Sequence, residues 1–234
     1  MSERKFHPTV KAFDGAWFGV PAFFTEDLMR CGKGIPASFW KLTFVLWRDI
    51  LKPSPDPNNA GQFLYHYTAK TTFEQLKEDH RIGDKAVQSW QGAYFVSGLF
   101  SVKKGRRKAP KLPGEPTIWR YNPAATKQDW LAFIIALSRV VSPANEARRA
   151  RHGTDENGMS CLAAFQLRLA IEVDKVRAAV NGTAGPGLPP VNEKRIEFLL
   201  EEGVGTRNPD GTITVYDAPP KWNGLQEPQY QEQE

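Results

Sequence analysis

Cysteine, histidine and long apolar runs are scarce in this chain, and each scarcity removes a class of function. The two cysteines, Cys31 and Cys161, lie far apart with no Cys or His at metal-ligand spacing. That excludes a disulfide scaffold and a zinc site, and makes a reducing cytoplasm the expected location. The four histidines (His7, His66, His80, His152) are scattered, and no Ser or Cys stands in an activating context. Arg30-Cys-Gly-Lys-Gly34 is too short for a Walker phosphate loop. Asp155-Glu156 in a Gly- and Asn-containing stretch reads as a solvated acid pair. No catalytic residue, cofactor or metal is therefore assigned, and an enzyme is not expected. The longest apolar stretches are interrupted by Lys41, Arg48 or Arg139 and fall short of the roughly 20 residues that span a bilayer. The first residues lead into no apolar run suited to a signal peptide. A soluble protein without a membrane partner is the expectation.

What is present is aromatic and unevenly charged. Aromatics make up 12% and apolar residues 41% of the 234 positions, enough to fill a core. Residues 1–122 carry 19 Lys and Arg against 11 Asp and Glu, whereas residues 123–234 carry 12 against 15. The N-terminal half therefore suits a polyanionic partner and the C-terminal half does not.

Punctuation by Pro, Gly and capping residues divides the chain further. Residues 1–34 hold an aromatic-rich segment expected to pack on the domain that follows. A first helix is predicted from Pro36 to Leu51, with Phe39, Leu42, Leu46 and Ile50 as its buried stripe. The run from Pro53 to Gly61 breaks it. Gln62 to Tyr67 reads as a strand, and Thr71-Thr-Phe-Glu74 as a capping box opening a second helix to about Asp79. His80 to Gly83 is a turn. Asp84 is the expected cap of a third helix, Lys85 to about Val96, which buries Val87, Trp90 and Tyr94 and stops at Gly98. A strand at Leu99–Val102, a basic loop and a strand at Thr117–Tyr121 form a hairpin. Beyond it, helices are expected over Ala125–Val141, Met159–Val180 and Glu193–Glu202, the last capped by Asn192. Ser142 to Gly158 reads as a loop, and Thr212 to Tyr216 as a strand after an Asn208–Gly211 turn. The boundaries are 35–122 for the first domain, 123–218 for a helical C-terminal region with a short β-hairpin, and 219–234 for a disordered tail. The fold class is mostly α with small β-hairpins (α+β).

Helix, strand, helix, turn, helix and hairpin is the order of a winged helix-turn-helix. Residues 17–121 resemble the N-terminal DNA-binding domains of phage and plasmid replication proteins of the replisome-organiser type. The matching features are Trp17-Phe-Gly-Val-Pro21, Phe39 with Leu46-Trp-Arg48, Thr72 with Ile82-Gly83, the Val87, Trp90, Tyr94, Gly98-Leu-Phe100 series, and Thr117-Ile-Trp-Arg-Tyr-Asn122. The resemblance implies a sequence-specific DNA-binding protein of a mobile element, a replication initiator or a transcription regulator. In such a motif the second helix of the pair enters the major groove. Lys85, Gln88 and Ser89 point away from its core face, and their side chains match base edges or phosphates. Lys103, Lys104, Arg106, Arg107, Lys108 and Lys111 cluster at the hairpin tip, with no acid until Glu115; that suits phosphates or a minor groove. Thr71 and Thr72, at a helix N-terminus, offer N–H groups to a phosphate. The aromatics Trp40, Trp47, Trp90 and Trp119 are read as core rather than as base-stacking platforms. Double-stranded DNA is the expected partner, with the C-terminal helices available for a homodimer or a host replication protein. The alternative is a protein-interaction module or inhibitor that keeps the scaffold without using it on DNA.

Overall fold

A computed structural model describes residues 24–51, 53–61, 63–103, 115–151, 158–182 and 192–216. Within them the chain is mostly helical with three small antiparallel sheets. Phe24–Leu28 and α1 (Met29–Cys31) lead into α2 (Ala37–Ile50). Pro36 immediately precedes α2, and its fixed φ costs nothing at that position. All four stripe residues predicted for α2 are buried, together with Thr43, Val45 and Trp47. Phe24 is fully buried as well, its ring packed edge-on against Trp40, Trp47 and Trp130. Residues 1–23, the rest of the aromatic leading segment, lie outside the described residues.

The Pro-rich run after α2 is more ordered than a simple break. β1 (Pro53–Pro55) pairs antiparallel with β2 (Phe63–Tyr65). A two-stranded ribbon is all edge, the one sheet environment where a missing N–H is tolerated. Its turn is tied by the Asp56 carboxylate, which accepts from the Asn58 backbone and the Asn59 amide, both at 2.8 Å. Tyr67, at φ 51, ends this ribbon, and a separate strand, β3 (Thr68–Thr71), follows. The predicted strand over Gln62–Tyr67 is thus shorter, and β3 was not anticipated. The capping box moves with it. The N-cap of α3 (Phe73–Glu78) is Thr72 and its reciprocal partner is Gln75, not Glu74.

α4 (Asp84–Ser97) begins from Gly83, so Asp84 is the first helical residue rather than the cap. Gly98 closes it in the left-handed conformation at φ 73, as its position after the apolar stripe predicts. β4 (Phe100–Lys103) and β5 (Thr117–Tyr121) complete a three-stranded sheet in the order β3-β5-β4. Ala69, Thr71, Phe100, Thr117, Trp119 and Tyr121 face inward, and the alternate positions face out. The Trp119 indole N–H donates to Thr71 Oγ1 at 3.2 Å.

α5 (Lys127–Arg151) runs ten residues beyond the predicted end at Val141, with Pro143 inside it. Proline removes one backbone donor, and the Ala-, Arg- and Glu-rich sequence after it favours helix, so the helix resumes. α6 (Gly158–Asn181), α7 (Glu193–Glu201) and the hairpin of β6 (Gly205–Arg207) with β7 (Ile213–Val215) follow. Asn192 takes the N-cap position of α7, as expected, but its side chain does not cap: it is buried and its amide donates to Ala170 O (3.4 Å) and Asp174 Oδ1 (3.0 Å) on α6.

One apolar cluster runs from Phe24 to Val204. Its centre is a stack in which Phe39 meets Tyr94 at 5.3 Å and Phe133 at 5.9 Å, while Trp130 packs on Trp47 at 5.7 Å. The Thr43 and Tyr94 hydroxyls are hydrogen-bonded to each other inside it, and burial raises the Tyr94 pKa. Arg177 of α6 ties the helices together, its Nη2 donating to Ser97 O at 2.6 Å and pairing with Asp129 Oδ1 at 3.3 Å.

Candidate nucleic-acid interface

The outward positions of the three-stranded sheet carry its charge. Lys70 of β3 and Lys103 of β4 both stand opposite Ile118 of β5. They therefore flank it at about 10 Å from one another, two interstrand spacings. Arg120, two residues along β5, faces outward between Thr68 and Ser101. All three cations are exposed, and no acidic side chain among the described residues is recorded as pairing with them. Lys103 was singled out in the sequence; Lys70 and Arg120 were not. Two-residue alternation in Thr68–Thr71 and Thr117–Tyr121 is the signal that points to them. Lys103 ends β4 and leads into the basic loop, whose Lys104, Arg106, Arg107, Lys108 and Lys111 lie outside the described residues.

On α4, Lys85 occupies the first turn, Gln88 is exposed and Ser89 is half-buried. Val87, Trp90 and Tyr94 are buried as their spacing predicts. The far half of α4 is not open. α6 lies against it, and a side chain at Gly92 would collide with the Gln166 amide. Gln91 and Val96 are buried in turn. Among the described side chains of α4, Gln88 and Phe95 are the exposed ones.

Thr71 and Thr72 take positions different from those expected. Thr71 belongs to β3, is buried, and has its hydroxyl committed to Trp119. Thr72 accepts from Gln75 N at 3.1 Å through its hydroxyl, and its own N–H donates to Gln75 Oε1 at 3.0 Å. Neither offers a free donor at the start of α3. Trp47, Trp90 and Trp119 are buried and Trp40 is half-buried, so they serve the core.

A second concave region lies where α4 ends. It is a groove of about 650 Å³ lined by Phe95, Phe100, Arg120, Tyr121, Asn122, Lys194, Arg195 and Phe198, among others. Three of its lining residues are cationic and none is acidic. Nothing in the sequence pattern placed Phe198 beside Phe95; packing of α7 on α6 does so.

Two further charges are structural. Asp174 has its pKa pushed up to about 6, mainly by burial and against the opposing pull of Arg177 and the Asn192 amide. Asp27, half-buried, is held below the usual carboxylate range by its hydrogen bond and ion pair with Lys127. Among the described residues no cluster of His, Cys, Asp or Glu could hold a metal ion, and no helix is long and apolar enough to cross a membrane.

No known protein family, curated protein or solved structure matches the chain.

Proposed function

We propose that residues 37–121 form a winged helix-turn-helix that binds double-stranded DNA. The observation that carries this is the sheet order β3-β5-β4 combined with the chain order α2, β3, α3, α4, β4, β5, into which the β1–β2 ribbon is inserted after α2. That combination is what a helix-turn-helix followed by a β-hairpin wing requires, since the strand before the helix pair must close on the far strand of the wing. The unpaired Lys70, Lys103 and Arg120, together with the basic segment Lys104–Lys111, support phosphate contact at the wing. In this reading Gln88 and Lys85 reach base edges from the first turns of α4, and Ser89 sits at the margin. The setting in phage or plasmid replication, or in transcription, rests on the motif resemblance alone.

Duplex titrations at about 50 and 200 mM salt test it. Binding should weaken steeply with salt, with a log–log slope near −0.9 per phosphate neutralised. Changing Lys103, Lys104, Arg106, Arg107, Lys108 and Lys111 to Gln should flatten that slope. An unchanged slope removes the wing from the interface, and absent binding at low salt removes the DNA reading.

One observation favours the second reading, a protein-docking scaffold. α6 covers the Gly92 side of α4 and leaves little of that helix to enter a groove. A nuclease-insensitive, stoichiometric protein partner with no recoverable DNA would support it.

A further inference from the structure

Large apolar side chains that stay exposed on a well-packed surface mark places where something binds. Phe95 at the end of α4 and Phe198 on α7 are each 46% exposed. The Arg195 guanidinium sits over both rings, 5.2 Å from the Phe95 centroid and 4.8 Å from that of Phe198. Its Nη2 donates to Gln166 Oε1 at 2.8 Å, and Gln166 is itself lodged against Gly92. The two rings and the cation between them are thus held in place before any ligand arrives. Arg120 and Lys194 line the same groove, both exposed, and no carboxylate lines it.

We propose that this groove binds an unpaired stretch of nucleic acid, with bases stacked on Phe95 and Phe198 and phosphates on Arg120, Lys194 and Arg195. Each part of the chemistry is required. Exposed ring faces stack on flat bases, and only unpaired bases present a free face. Three cations on a wall to which the described residues contribute no carboxylate suit a backbone with a charge at every unit, although Glu202 lies near Arg195 outside that wall. An acidic peptide would satisfy the charge within the groove. The cations continue past it, however, from Arg120 to Lys70 and Lys103 on the outer sheet face. A track of that kind favours a long polyanion. The inference rests on the nucleic-acid reading above and adds a single-stranded site to the duplex contact of α4 and the wing.

Fluorescence anisotropy of the full chain with a labelled mixed-sequence DNA single strand, and with its matching duplex, separates the two. Phe198→Ala and Phe95→Ala should each weaken single-strand binding by roughly 5- to 150-fold, the range for loss of one stacked base. Duplex affinity of Phe198→Ala should stay within about twofold, because Phe198 lies on α7, away from the exposed side of α4 and from the wing. Phe198→Trp restores a stacking surface and should restore single-strand affinity, a recovery that mere damage to the fold would not give. Single-strand binding that both Ala variants leave unchanged overturns the groove assignment while leaving the duplex reading intact. So does a groove that takes poly-glutamate in a Phe198-dependent way but ignores the single strand. Failure to bind either nucleic acid removes both readings.

Discussion

Arg177 and Asp129 form the ion pair whose loss should be felt most, and unequally from its two sides. Their side chains are 8% and 12% exposed, so neither charge has much water to fall back on. Asp129 has other partners: its carboxylate accepts from Thr126 N (2.9 Å) and Thr126 Oγ1 (3.0 Å) at the start of α5. Among the described residues Arg177 has the Ser97 carbonyl as its one other hydrogen-bond partner and feels the Asp174 carboxylate only at longer range, and its Nε and Nη1 are buried without a partner. Asp129→Asn therefore strands a buried cation, which costs about 3–5 kcal/mol. Arg177→Met removes the charge, leaves Asp129 satisfied by Thr126, and orphans one carbonyl at about 1–3 kcal/mol. The double variant should cost little more than Arg177→Met alone, giving a coupling of about 3–5 kcal/mol, nearly the whole cost of Asp129→Asn, in a double-mutant cycle. Urea denaturation with an unchanged m-value measures it. Asp129→Asn should also lower Tm by about 6–20 °C, at about 2–4 °C per kcal/mol for a chain of this size. If Asp129→Asn proves no more harmful than Arg177→Met, or if the two effects simply add, the charge argument is wrong and the pair is ordinary packing.

Two further outcomes follow from the same structure. Thr71→Val should cost about 1–3 kcal/mol by leaving the Trp119 indole N–H buried without an acceptor; duplex affinity should not change, since Thr71 faces inward, and a drop in affinity at equal stability would put it back in the interface. Asp174 has a folded pKa of about 6, raised above its ordinary value of 3.8, so the native state holds the proton more tightly and stability is lost as pH rises between these values. Asp174→Asn keeps an oxygen for the Asn192 amide and should raise stability at pH 7 by about 1 kcal/mol after allowance for solvent screening, with no gain below pH 4; equal gains at both pH values would contradict the titration.

Local chemistry alone determined much of this protein. The apolar stripes of α2 and α4, the stop at Gly98, the β4–β5 hairpin and the helical character of residues 127–141, 159–180 and 193–201 all rest on side-chain period, caps and breakers. These act within a few residues of chain and so are legible without a fold. Tertiary structure decided the rest, because pairing and burial join residues far apart in sequence. It set β3 against β5, which turned Thr71 from an expected helix-end donor into a buried partner of Trp119 and lined Lys70 and Arg120 up with Lys103. And it laid α6 across α4 at Gly92, narrowing the helix face on which Gln88 lies and holding α7 where Arg195 bridges Phe95 and Phe198. A ring's exposure depends on which distant helix covers it, and that is settled only when the core closes.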